Sequence, residues 1–338
     1  MELEILSNIY NERFHNALQK KEQITPPICM MRQAGRYHKH YQNLKKKYTF
    51  EQLCRNPELA CEVTLGPIKD FDFDAAILFS DILFPLDFLG MKLSFSPGPI
   101  FENNLSQQML SEYNIEEFQN YIQFQNKSLQ LIRENLAKDK SLIGFVGGPI
   151  TLYHFAIRDN PIADNLFSSA IPVLERILYK NIEIQFQSEI DLLMIFDTEA
   201  NNLSDEDFIQ FSLPFIEQVA NKYPNQIGYF TKNISPKKFQ ELKKISPLKL
   251  TVLGTQHHLF QELPQTHLSL QGNFSNDLLT ISDKDDFKAA LNEYVSHCQN
   301  FDSKERAGWI ASLDHGVNKM TPETNVHLFI EYIRTKIT

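Results

Sequence analysis

Cysteine is scarce in this chain. Its four cysteines, Cys29, Cys54, Cys61 and Cys298, form no Cys-x-x-Cys pair, and four in 338 residues are too few for a disulfide scaffold, so they read as reduced thiols. An excess of positive charge is also lacking. A formal net charge of -9 argues against nucleic acid or an anionic membrane as the main partner, so an anionic substrate would need a local basic site. No apolar run is long enough to span a bilayer, and Glu2, Glu4 and Arg13 interrupt any signal-peptide core near the start. The expected location is therefore the cytoplasm. Short-period repeats and low-complexity segments are absent as well. With 42% hydrophobic and 22% charged residues, no collagenous, disordered or coiled-coil bias remains, and the length fits one barrel-sized domain or two average ones.

Against that acidic background one stretch concentrates positive charge. Pro27-Ile28-Cys29-Met30-Met31 is a short apolar run opened by proline, which suits a buried strand whose first residue need not donate to a ladder. Arg32, Gln33, Ala34, Gly35, Arg36 and Tyr37 follow directly. Two guanidinium groups, with Gln33 between them and Gly35 freeing the backbone, form a compact donor set suited to carboxylate or phosphate. The plainer alternative is a solvated basic turn, since arginines are mostly exposed. Their position directly after a buried strand favours the site.

The same arrangement, an apolar run closing on polar residues, recurs along the chain. Leu3, Leu6, Ile9, Phe14, Ala17 and Leu18 predict an amphipathic helix over 2–21, within an N-terminal extension of 1–25 that precedes a barrel of 26–338. Asn56-Pro57-Glu58 is a cap, a first-turn proline and an acidic first turn, opening a helix to about Phe71. Further strands are predicted at 74–79, 142–146, 191–196, 226–230, 248–253, 267–270 and 308–313. Helices are predicted at 115–137, 162–190, 205–222, 236–244, 283–298 and 322–335. This alternation predicts an α/β chain folded as a single (β/α)8 TIM barrel. An open doubly wound sheet with a second domain is the rival, but no composition shift or Pro/Gly/Ser linker divides the chain. A barrel gathers its chemistry at the C-terminal ends of its strands, where Arg32, Arg36, Asp81, Thr198 and His315 fall.

Each candidate has a bland reading beside the chemical one. Asp81, at the end of the second strand, is a helix cap as readily as an active-site carboxylate. The run Gly144-Phe145-Val146-Gly147-Gly148-Pro149 lacks both G-x-G-x-x-G and a Walker lysine, which excludes a phosphate-cradling loop. A lone histidine is more often structural, yet His315 sits at a strand end before Gly316. His257-His258 has no carboxylate or cysteine ligands beside it in sequence, so no metal is expected there.

Residues 27–37 resemble the N-terminal signature of the uroporphyrinogen decarboxylase family, which reads Pro, Ile or Val, Trp, any residue, then Met-Arg-Gln-Ala-Gly-Arg-Tyr. Cys29 stands at the Trp position. The resemblance continues through Glu62-Val63-Thr64-Leu65 and Pro67-Ile68 to Asp81-Ile82-Leu83, then through Gly144–Leu152, Leu270-Gln271-Gly272-Asn273 and Leu313-Asp314-His315-Gly316-Val317. It departs at Phe155, where the family has a substrate-contacting tyrosine, although Tyr153 lies nearby; His154 or water would then take the lost hydrogen bond. It departs again at Asn233 and Asp314, which replace glycines. Lys232 is kept from a Lys-Gly pair. The Asp314 carboxylate is expected to orient His315 or raise its pKa.

The resemblance implies a carboxy-lyase that removes carbon dioxide from the four acetate side chains of uroporphyrinogen III, giving coproporphyrinogen III in haem biosynthesis. It also implies no metal and no organic cofactor, and a homodimer. By the same resemblance Asp81 and Arg32 are the catalytic candidates. Gln33, Ala34, Gly35, Arg36, Phe155, Thr198 and His315 join them in binding substrate. Two other classes are the alternatives. A corrinoid-linked methyltransferase of the same superfamily would want a His-x-Cys and a distant Cys at strand ends, whereas Cys298 falls inside a predicted helix. A non-catalytic tetrapyrrole-binding relative is suggested by Cys29, Phe155 and Asp314, and opposed by the retained Arg32, Arg36, Asp81 and His315.

Overall fold

Parallel strands organise the chain, as the alternation of apolar runs with helical segments requires. The computed structural model describes residues 10–96, 98–158 and 165–337. Seven strands pair in parallel: β1 (Ala75–Ile77), β4 (Ser141–Gly147), β5 (Leu192–Phe196), β6 (Ile227–Phe230), β7 (Leu250–Val252), β8 (Ser269–Phe274) and β9 (Trp309–Leu313). Between β1 and β4 lies an antiparallel hairpin, β2 (Leu93–Phe95) with β3 (Pro99–Phe101). The barrel strands are almost wholly buried on both faces, which is why they read as continuous apolar runs instead of alternating ones.

The eighth stave is the 27–31 segment, and it closes the barrel between β9 and β1. Ala311 N donates to Pro27 O at 2.9 Å and Cys29 N to Ala311 O at 3.2 Å, while on the other side Asp74 N donates to Ile28 O at 3.0 Å. The expected strand is thus only a single bridge, Ile28 with Ala311. Side chains replace the rest of the ladder. The Asp74 carboxylate accepts from Ile28 N at 2.7 Å, and the Gln33 amide donates to Ala75 O at 2.9 Å while accepting from Ile77 N at 3.0 Å.

Other boundaries shift for local reasons. The first helix spans Glu12–Leu18, capped by Asn11 whose side chain accepts from Phe14 N; residues 1–9 of the expected helix lie outside the described residues. Its buried face, Phe14, Ala17 and Leu18, reaches β8, where Ser269 Oγ donates to Ala17 O at 2.8 Å. The helix predicted over 115–137 is two, Ile115–Tyr121 and Gln123–Asn135, with a break at buried Ile122. The one predicted over 162–190 is Phe167–Phe186, and 159–164 lie outside the described residues. Residues 205–222 divide into three short segments, the last with Pro214, which has no N–H to continue the ladder, in its first turn. The strand expected at 267–270 runs instead over Ser269–Phe274, because Phe274 is fully packed against Phe287, Tyr294 and Phe329. Asn273 therefore lies within a strand, not past its end.

Candidate active site

A cavity of about 390 Å³ opens at the C-terminal ends of the strands. Met31, Arg32, Gln33, Ala34, Asp81, Phe155, Thr198 and His315 all line it. Of the expected site residues, Gly35 and Arg36 do not. Arg36 lies in an adjoining outer chamber, and Gly35 sits in the turn that leads to it, its carbonyl accepting from His38 N.

Asp81 is the carboxylate of this cavity, half-buried just past the end of β1. Its Oδ1 accepts from Leu83 N at 2.9 Å, and among the described residues it has no basic partner. Burial dominates, so its carboxyl is pushed up from 3.8 to about 6, against a smaller lowering from the Leu83 amide. Arg32 supplies the cavity's guanidinium. It forms no ion pair with the described residues, and burial followed by repulsion from Arg36 lowers its pKa.

The backbone that aims Arg32 is unusual. Its φ is +59°, a left-handed conformation that side chains with a Cβ adopt at a cost of about 1–2 kcal/mol. This lays the side chain over Gly316. A Cβ at Gly316 would stand 2.6 Å from Arg32 Cδ and 2.7 Å from Cγ, so the glycine after His315 makes room for the arginine.

Gln33 does not act as a free donor. Its amide is committed to the backbone of β1 at both ends, so it holds in place the cavity wall that it also lines. The Asp314 carboxylate is likewise engaged by backbone: its Oδ1 accepts from Asn276 N at 2.8 Å. The pKa of His315 is lowered, not raised, by burial first and then by the charges of Arg32 and Lys232.

Thr198 is held from both sides. The fully buried Asp197 accepts from Thr151 N at 3.0 Å and Thr151 Oγ1 at 2.7 Å, and Thr151 Oγ1 accepts from Glu199 N at 3.0 Å. Gly148, directly before Pro149, serves this contact, since a Cβ there would fall 2.0 Å from Asp197 Cγ. The ammonium of Lys238, itself buried, donates to Ala200 O and Asn201 O at 3.1 Å each and to Leu203 O at 2.6 Å. It therefore caps the turn Thr198–Asn202 at its carbonyl end.

Sequence reasoning missed the cavity's aromatic belt. Phe145, Phe196 and Phe230 stand at the ends of β4, β5 and β6, with ring centroids 5.4 and 6.1 Å apart, and Phe230 meets the His315 ring at 5.6 Å. Phe50 and Phe79 complete the wall at 5.6 Å from each other, and Phe50 packs on Phe95 of the hairpin at 4.7 Å. The available signal was a phenylalanine in the last positions of one predicted strand after another. Such walls exclude water and sustain the raised pKa of Asp81.

Phe155 belongs to the same wall, whereas Tyr153 is buried edge-on against Phe167 at 5.1 Å and does not line the cavity. His154 faces Glu199 at 3.6 Å, also outside the lining, so it does not replace a hydroxyl at Phe155. Phe155→Tyr is expected to keep turnover or raise kcat/KM by up to about tenfold, the worth of one recovered hydrogen bond. Steady-state kinetics checks this; a severe loss in a folded variant would remove Phe155 from the substrate-facing wall.

The family model described as uroporphyrinogen decarboxylase (URO-D) matches residues 10–336. A uroporphyrinogen decarboxylase of Synechococcus sp. (strain JA-2-3B'a(2-13)) is 31% identical over 330 residues, covering 91% of this chain and 93% of its own. One from Neorickettsia sennetsu is 31% identical over 324 residues, covering 90% and 96%. Among solved structures, a methyltransferase from Methanosarcina mazei superposes with a TM-score of 0.72 over 97% of this chain and 98% of its own, at 14% identity, a likeness of fold alone. With a matching model over nearly its full length and relatives above 30% identity, the chain belongs to the uroporphyrinogen decarboxylase family.

Proposed function

We infer that the protein decarboxylates the four acetate side chains of uroporphyrinogen III, giving coproporphyrinogen III in porphyrin biosynthesis. The observation that carries this reading is the pairing, in one phenylalanine-lined cavity, of a half-buried carboxylate with an arginine, neither of which has an oppositely charged partner among the described residues. Such a pair suits a substrate that brings both pyrrole N–H donors and carboxylate groups. Losing carbon dioxide from an acetate leaves an electron pair that needs a sink. Protonation of a pyrrole ring carbon creates a cation, the electrons left by departing carbon dioxide neutralise it, and a second proton at the exocyclic carbon followed by loss of the ring proton gives the methyl product. Asp81, accepting from the N–H groups, stabilises that cation. Arg32 and Arg36 hold carboxylates, with Thr198 and His315 orienting peripheral ones. Ala34 contributes to the wall.

The same reading takes 26–338 as one barrel domain behind an N-terminal helix, acting as a homodimer in the cytoplasm. No helix among the described residues is long and apolar enough to cross a membrane. Cys298, which a thiol-activating methyltransferase would want at a strand end, lies buried within the helix Lys284–Gln299. The test is anaerobic incubation of the purified protein with uroporphyrinogen, followed by oxidation and chromatography of the products. Stepwise loss of four carboxyl groups, unaffected by a chelator, is expected; intact octacarboxylate, or activity that returns only with added zinc, would overturn the reading.

A further inference from the structure

Outside the catalytic cavity lies a second chamber of about 510 Å³ that shares Arg32, His315 and Gly316 with it. Arg36, Lys232 and Lys319 bring three more cations to its walls, against two carboxylates, Asp277 and Asp314. One of those carboxylates is already engaged, since Asp314 accepts from Asn276 N at 2.8 Å. None of the side chains of Arg32, Arg36, Lys232 and Lys319 forms an ion pair or hydrogen bond with the described residues. An acidic protein that leaves four cations unpaired around one opening has assembled a local field for an anion.

Lys232 stands out among them because its backbone is fixed while its ammonium is not. The Asn201 amide, oriented with its nitrogen as donor, bonds Lys232 O at 2.7 Å and Asn233 O at 3.1 Å. Asn201 itself belongs to the turn that the Lys238 ammonium caps. The side chain of Lys232 is exposed, yet its charge reaches His315 and helps lower that pKa. A substrate with eight carboxylates needs more counter-charge than Arg32 offers inside the phenylalanine belt.

We propose that Lys232 is a substrate-binding residue, which with Arg36 and Lys319 forms an outer subsite for carboxylate side chains that project from the catalytic cavity. This rests on the decarboxylase reading given above. A flexible ammonium with three donors suits carboxylates on freely rotating side chains, where a rigid guanidinium fork would fix one geometry. A subsite of this kind binds substrate and transition state alike, so its loss shows in KM.

The experiment is steady-state kinetics with uroporphyrinogen for the parent, Lys232→Met, Lys232→Arg and Lys138→Met. Lys138, exposed before the start of β4, removes the same charge at the opposite end of the barrel. Lys232→Met should raise KM roughly five- to tenfold with kcat little changed, weaken the dependence of KM on salt, and raise the His315 pKa seen by NMR. Lys232→Arg should recover most of the loss, and Lys138→Met should match the parent. A Lys232→Met enzyme with the parent's KM and salt dependence would overturn the subsite while leaving the decarboxylase reading intact. A parent that does not turn over uroporphyrinogen would overturn both.

Discussion

Replacing Asp81 with asparagine is expected to cut kcat by roughly 10²- to 10³-fold, the usual loss when one preorganised electrostatic group is removed, and to make the protein more stable at pH 8. Both effects come from the same burial. A carboxyl whose folded-state pKa lies above its unfolded value favours the protonated form. Its cost to the fold is therefore absent below about pH 4, grows as pH rises through about 6, and is complete at pH 8. A shift from 3.8 to about 6 corresponds to roughly 3 kcal/mol at most, or several degrees in Tm. Asparagine keeps the oxygen that accepts from Leu83 N, so nothing else need move. Thermal unfolding at pH 4 and pH 8 checks the stability arm: the variant should match the parent at pH 4 and exceed it at pH 8. The kcat/KM of the parent should also fall as pH drops through about 6, as the carboxylate is lost. Parent-like turnover in Asp81→Asn would remove the cation-stabilising role.

The strand ends were legible in the sequence because burial on both faces makes each stave a continuous apolar run, and the run stops where side chains meet the cavity. Asp81, Thr198 and His315 follow such runs, and the fold places all three in the cavity lining. What periodicity does not register is a side chain that does backbone work. Ile28 makes a single bridge because the Asp74 carboxylate and the Gln33 amide take the remaining ladder positions, so Gln33 is part of the barrel wall as well as of the cavity lining. The hairpin β2–β3 is hidden because its strands have only three residues each, too few for a periodic pattern to show. Adjacency in sequence suggests that Asp314 acts on the His315 ring, but its carboxylate is taken up by the Asn276 amide. The clamp on the Thr198 turn was invisible for a different reason. Lys238 lies forty residues after Thr198, in a helix whose pattern marks it as an ordinary surface lysine, and only the packing of β5 beside β6 brings its ammonium onto the turn.

Arg32 carries the second large effect. Arg32→Lys should keep the charge and lose the fork that grips a carboxylate, lowering kcat/KM by about 100-fold, because the ammonium cannot donate twice in one plane. Arg32→Gly should abolish turnover and yet stabilise the fold. Its left-handed backbone, φ +59°, is natural for glycine and strained for every residue with a Cβ, so Arg32→Gly should exceed Arg32→Ala in stability by about 1 kcal/mol. Removing the guanidinium also relieves its repulsion by Arg36, one of the causes that lower its pKa. Asp81 and Arg32 thus face the same cavity, each without an oppositely charged partner among the described residues. The paired measurements are denaturant unfolding and turnover of the three variants. Arg32→Gly less stable than Arg32→Ala would show that the strained backbone is not being held for the guanidinium, and parent-like turnover in Arg32→Lys would reduce Arg32 to a simple point charge.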